Sequence, residues 1–198
     1  MRVLVACEFS GTVRDAFIKR GHDAVSCDLL PSDKGGPHFQ GNVLDILGWG
    51  WDLMVAHPPC THLAVSGAAW FHKKQREQTE ALNFVRALMD APIPRWCIEN
   101  PVSVISTRIR KPTQIVHPWQ FGHSEMKTTC LWLNNLPNLV PTAVVDKGVV
   151  HVHASGKRSS EWSMRTFKMP KSIRWRERSK TFQGIADAMA EQWGELDA

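Results

Sequence analysis

Three short apolar runs, each stopping dead at a polar turn, constrain this chain more than any other feature. Val3 to Cys7, Leu53 to Ala56 and Trp96 to Ile98 are three to five residues long and almost unbroken by polar side chains. They are too short for helices and lack the alternation of a half-exposed strand, which is the signature of strands buried on both faces. Ala24 to Cys27 reads as another strand, ending at Asp28. Helical signals fall between them. Val13, Ala16 and Phe17 share one face, with Gly21 as the residue after the cap, and Ala81, Leu82, Val85, Leu88 and Met89 recur at helical spacing between Lys74 and Asp90. Strands alternating with helices predict an α/β fold, a mainly parallel sheet with helices on both faces.

The rest of the chain is read from composition. LLPSDKGGPHFQGN is loop by its Pro, Gly and Asp content, a third short strand is expected near Val43 to Ile46, and Thr129 to Leu133 is a further strand. Ile185, Met189 and Trp193 mark a closing amphipathic helix. With 198 residues, 43% of them hydrophobic, the chain 1–198 suits one domain with a real core. No run reaches 18 apolar residues, so no membrane span is expected. The opening apolar run meets Glu8 too soon for a secretory signal, and five scattered cysteines without a CxxC pair predict reduced thiols and a cytoplasmic protein.

Charge is distributed unevenly. Lys147 to Lys180 carries ten Lys or Arg against only Glu161 and Glu177, whereas the whole chain has a net charge of +5. Trp162, Phe167 and Trp175 are interleaved with these cations, a pattern that binds phosphates and stacks bases, or else a solvated loop.

In an open parallel sheet, ligands gather beyond the carboxyl ends of the strands. Here those ends carry Phe9-Ser10-Gly11, Asp28, Pro58-Pro59-Cys60 and Glu99-Asn100-Pro101. One crevice would thus hold a glycine turn, an acid suited to a ribose, a thiol and a carboxyl group. Glu99 follows the apolar Trp96-Cys97-Ile98, so it needs a partner or a task. His57, Cys60 and His62 also read as zinc ligands. A nucleobase deaminase, however, needs a P-C-x-x-C after its H-x-E, and the chain has no P-C-x-x-C, Leu63 standing where the second cysteine would fall; no metal is expected.

In order and spacing, VLVACEFSGTVRDAF, Asp28, LDI (Leu44 to Ile46), PPC, ENP and SKTFQGIADAMAEQWG resemble the motifs of the cytosine-C5 DNA methyltransferases. The chain is similar to small phage-encoded members without a full target-recognition domain. That resemblance implies a Rossmann-like, S-adenosylmethionine-dependent fold, with Phe9 against the adenine and Ser10, Gly11 and Thr12 lining the turn. Asp28 would hold the ribose with Leu29 following it, Asp45 would meet the adenine amino group, and Pro58 would lie beside the cofactor. Cys60 would attack C6 of cytosine, a partly protonated Glu99 would engage N3, and Asn100 would fix local geometry or touch the base. Lys127 stands where the family has the motif that backs the target base. The basic segment 147–180, with Lys171, Arg174, Arg176 and Arg178, would replace the recognition domain and contact phosphates. The expected partner is DNA, in a host cytoplasm if the chain is phage-encoded. Two alternatives share the fold: C5 methylation of a free cytosine nucleotide, and a non-catalytic nucleic-acid-binding protein. Val13 and Arg14 occupy the places of the family's second and third glycines, and Pro101 replaces its valine after Glu-Asn.

Overall fold

Alternating side chains along the central strands feed two separate cores, and this fixes the layers. Val3 and Val5 of β1 (Arg2–Ala6) pack with Val13 and Phe17 of α1 (Thr12–Lys19) and with Ile185, Met189 and Trp193 of α6 (Gln183–Gly194). Leu4 and Ala6 point the other way, joining Leu82, Val85 and Leu88 of α2 (Gln75–Met89). The expectation of a sheet sandwiched by helices is met. In the computed structural model, residues 1–154, 156 and 158–196 are described.

Seven strands form the sheet in the order β3-β2-β1-β4-β5-β7-β6. The five towards the β3 edge, β3 (His38–Gln40), β2 (Asp23–Asp28), β1, β4 (Leu53–Ala56) and β5 (Arg95–Asn100), are parallel. β7 (Thr129–Asn134) runs antiparallel to both β5 and β6 (Gln114–Val116). This is the doubly wound 3-2-1-4-5-6 order with one antiparallel strand let in beside the last, and its reversal of direction falls between β1 and β4. Between β5 and β6 lies one short helix, α3 (Ile105–Arg108).

Two local expectations are corrected. The third strand is His38–Gln40, inside the stretch expected as loop, and Val43–Asp45 is a 3₁₀ turn. Asn42 starts that turn by accepting the Leu44 N–H, 3.1 Å away, a side-chain cap that outcompetes strand pairing. The basic segment is not a loop. It folds as a hairpin of β8 (Val150–Val152) and β9 (Arg158–Ser160), then α4 (Glu161–Lys168) and α5 (Lys171–Ser179). Ser155 and Lys157 of this segment lie outside the described residues. Among the described residues no helix is long and apolar enough to cross a membrane.

Candidate active site

The turn leaving β1 is built around an acid. Cys7 adopts a left-handed conformation (φ 58°), which non-glycine residues rarely accept, and turns the chain so that Glu8 folds under the start of α1. Glu8 is 5% exposed, and its carboxylate accepts the Val13 N–H at 2.7 Å, the Arg14 N–H at 3.2 Å and the Ser10 hydroxyl at 3.1 Å. These are unpaired amides of the first helical turn, the place where a Rossmann fold receives a pyrophosphate. Here the protein's own carboxylate holds it, so a phosphate would meet a negative charge.

Beneath the same turn, Arg14 explains the missing glycines. Its guanidinium is 1% exposed and donates to the Asp15 carboxylate at 2.7 and 2.9 Å, to Ser26 Oγ at 3.0 Å and to the Pro37 carbonyl at 3.4 Å. Gly11 (φ 70°) caps this arrangement, and a Cβ there would come within 2.5 Å of the guanidinium. The turn therefore needs its one glycine for two reasons, and Arg14 replaces the close packing that the others give elsewhere.

At the end of β2, Asp28 accepts the Leu30 N–H through Oδ1 at 2.9 Å, leaving Oδ2 for a ligand. β4 ends at His57, whose N–H still pairs with the Ala6 carbonyl at 2.9 Å, and the Pro58-Pro59 turn then presents Cys60. Asn100, 1% exposed, donates to the Pro58 carbonyl at 2.9 Å and so ties the end of β5 to that turn. Glu99 projects from the end of β5 towards His57, with Nδ1 and Oε2 3.1 Å apart.

These strand ends form one wall of a cleft of about 1310 Å³, and the basic segment forms the other. Of the expected residues, the cleft is lined by Phe9, Ser10, Asp28, Pro58, Cys60, Glu99, Asn100, Lys127, Lys171, Arg174 and Arg178. Gly11 and Thr12 shape the turn behind it, while Leu29 is 73% exposed and Asp45 is exposed on its 3₁₀ turn, both outside the lining. Arg176 faces elsewhere. It pairs with Asp33 and lies 4.9 Å above the Phe9 ring, with Trp175 5.7 Å from the same ring. The aromatic shelf expected for an adenine is thus covered by α5.

The electrostatics of the cleft follow from burial. Cys60 is the exposed thiol of the five; Cys27, Cys97 and Cys130 are buried and Cys7 half-buried. Desolvation by the cleft walls and the Glu99 carboxylate raise the Cys60 thiol, while Lys127 and Arg178 pull it back. For Glu99, burial pushes the carboxyl up, but the His57 hydrogen bond, Lys127 and the His57 charge outweigh it and hold the group below the usual range. In this protein that balance favours the carboxylate form of Glu99. Lys127 is lowered by burial, against the upward pull of Glu99 and Cys60. Its Nζ donates to the Lys180 carbonyl at 3.1 Å and lies 5.5 Å from the Trp162 ring, and Arg178 stacks on that ring at 5.1 Å.

Comparison with solved structures gives similarity to a protein assigned as a DNA modification methyltransferase encoded within a prophage of E. coli. The TM-score is 0.50 at 12% identity, over 74% of this chain and 52% of that chain. The chain spans about half the length of that neighbour. No protein-family model matches the chain, and no curated protein matches it. The fold is a Rossmann-like α/β fold, shared with that neighbour.

Sequence reasoning missed Glu8, His57 as the partner of Glu99, and the aromatic contacts of α5. Glu8 carried a usable signal, an acid between a buried strand and a helix start. His57 and Glu99 are 42 residues apart, and only the pairing of β4 with β5 brings them together. Among the described residues, no group of three or more His, Cys, Asp or Glu is arranged to hold a metal ion.

Proposed function

We propose that this protein transfers a methyl group from S-adenosylmethionine to C5 of cytosine in DNA, through a covalent bond to Cys60. The observation that carries this reading is the meeting of an exposed thiol, a half-buried carboxylate and a half-buried lysine at the ends of β4, β5 and the approach to β7. A non-catalytic binding protein needs none of the three.

The residues present fit the cofactor on one physical test. Glu8 fills the anion site of α1, which disfavours a dinucleotide and suits a cationic sulfonium compound. Asp28 Oδ2 would hold the ribose hydroxyls, and Ser10 and Pro58 would border the rest. When bound, S-adenosylmethionine supplies an electrophilic methyl group. Phe9 becomes available to it once Arg176 withdraws.

Cys60 and Glu99 perform the remaining chemistry. Cytosine C5 is too weak a nucleophile until sulfur adds at C6 and the ring electrons move towards N3, which takes a proton. The resting site has its proton on the wrong partner, since the thiol is raised and Glu99 lowered. Binding of the base reverses this. The Cys60 proton leaves, Glu99 gains one and gives it to N3, and the Sγ–C6 bond forms with no net change in protons. C5 then takes the methyl group, the N3 proton returns to Glu99, the C5 proton passes to solvent, and the Sγ–C6 bond breaks to release Cys60, which regains its proton from Glu99. Lys127 and Arg178 favour the thiolate throughout.

A second reading, methylation of a free cytosine nucleotide, is favoured by one observation. Arg174 donates to the Met169 carbonyl at 2.8 Å, and Arg176 and Arg178 stack on Phe9 and Trp162, so these arginines are engaged within the protein. Incubation with S-adenosylmethionine labelled in its methyl group, against duplex DNA, single-stranded DNA and deoxycytidine monophosphate, separates the readings. A 5-fluorocytosine substrate should trap an adduct on Cys60, because no proton remains to leave C5. Turnover undiminished in Cys60→Ala would sink the covalent mechanism.

A further inference from the structure

Histidines that serve only the fold are usually fixed at both ring nitrogens. His57 is fixed at one. Its side chain is 8% exposed, Nδ1 lies 3.1 Å from Glu99 Oε2, and Nε2 is buried with no hydrogen-bond partner among the described residues. Glu99 is 12% exposed and ionised, and an ionised carboxylate only accepts. Nδ1 must therefore be the donor. The ring rides on rigid ground, because the His57 amide completes the β1–β4 ladder and the next residue, Pro58, is pinned through its carbonyl by Asn100.

We propose that His57 is the positioning residue of the site: it holds Glu99 by Oε2, so that Oε1 alone meets the base and carries the proton to N3. The inference rests on the proposed methyl transfer and adds a residue to it. Without the Nδ1–H donor, the carboxylate can rotate about its terminal torsion, and terminal sp² torsions have broad, shallow wells. A proton delivered at the wrong oxygen is not delivered to N3. The same donor keeps Glu99 as an anion until a base arrives, which prevents a neutral carboxyl from pairing with solvent in the empty cleft.

Other groups face Glu99 and must be separated from His57. Lys127 approaches from the segment before β7, Cys60 from the turn after β4, Cys97 from β5 and Cys130 from β7. Of these, Lys127 also stabilises the anion, by charge and not by a hydrogen bond. Removing Lys127 should shift the Glu99 titration without freeing the carboxylate's orientation, and removing His57 should do both.

The test uses ligand-free protein and turnover separately. In protein carrying ¹³C at the glutamate carboxyl carbons, His57→Ala should move the Glu99 titration upward, and His57→Asn, which keeps a donor near Nδ1, should restore most of the shift. Single-turnover methyl transfer should fall by about 10- to 100-fold in His57→Ala with KM for S-adenosylmethionine unchanged, and recover at least in part in His57→Asn. The acid limb of its pH profile should move with the Glu99 titration. A Glu99 titration unmoved by His57→Ala, or an asparagine variant no better than alanine, overturns the proposal. Should His57→Ala not fold, ¹⁵N shifts of the wild-type imidazole decide instead. A proton on Nδ1 that responds to Glu99→Gln supports the dyad, and a bare Nδ1 overturns it. If wild-type protein transfers no methyl group, the proposed function fails, but the two titrations still report on the dyad.

Discussion

The two walls of the cleft are built by different physics. On the sheet side, each functional group sits at the end of a buried strand and is held by backbone ladders and short bonds. Asp28 closes β2, His57 follows β4, Glu99 lies at the end of β5, and Asn100 laces two of those ends together. On the other side, the basic segment contacts the sheet through side chains. Arg176 covers Phe9, Arg178 and Lys127 share the Trp162 ring, and Lys127 reaches the Lys180 carbonyl. Cation–ring contacts and exposed ion pairs are each worth only about 0.5–1 kcal/mol, so α5, which buries no residue, is held more weakly than the strand ends, while α4 is anchored by the buried Trp162 and Thr166. The comparison teaches that the groups of the proposed reaction stand on the firmly held wall.

The largest effects should come from the rigid wall. Cys60→Ser should reduce methyl transfer by about four orders of magnitude or more in single-turnover assays, with the fold intact by circular dichroism. Residual transfer near the wild-type rate would show that the strand ends do not carry the reaction. Next in size is the cofactor acid. Asp28→Ala should weaken S-adenosylmethionine binding by about 1–3 kcal/mol, roughly 5- to 150-fold in Kd by calorimetry.

A pH experiment probes where the walls meet. Because the reacting pair, Cys60 thiolate with protonated Glu99, carries the same one proton as the resting pair, the rate should stay flat through neutrality and fall at high pH only when the raised Cys60 thiol itself titrates. Lys127 pulls that thiol down, so Lys127→Met should push this alkaline limb to higher pH. A limb that stays in place would remove Lys127 from the electrostatics of the thiol.

Smaller effects belong to the weakly held α5. Arg176→Ala uncovers Phe9 and breaks the pair with Asp33, so S-adenosylmethionine should bind about two- to tenfold more tightly, the reverse of Asp28→Ala. Weaker binding would mean that Arg176 holds the cofactor instead of covering its place. The smallest change concerns salt. Lys171, whose side chain is exposed at the start of α5, should flatten the log–log salt dependence of DNA binding by roughly 0.7–0.9 on replacement by alanine. Arg174, already bound to Met169, should change it less.

The same contrast decides what could be read from the sequence. β4 and β5 were legible because burial on both faces leaves an apolar run that ends where the chemistry begins. β3 was not, because its three residues, His38-Phe39-Gln40, draw their pairing from β2 and not from any apolar pattern of their own. α5 escaped for a related reason. KSIRWRERS buries no residue, so its helix shows no apolar stripe, and its place is set by aromatic and ionic contacts to residues far along the chain. Within the site, motif order brought Cys60, Glu99 and Asp28 to one cleft. The charge state of Glu99 depended on His57 and Lys127, which no local pattern connects to it.

The raised Cys60 thiol has a consequence for the protein's chemical durability. Peroxides and electrophiles attack thiolates, and a protonated sulfur reacts with them slowly. An open cleft with a ready thiolate would be disarmed by every passing oxidant. Here the raised Cys60 favours the protonated sulfur, and the other thiols are withdrawn into or against the core, where burial raises them too. On the proposed mechanism, reactivity would be reserved for the interval in which a base shields the sulfur from solvent.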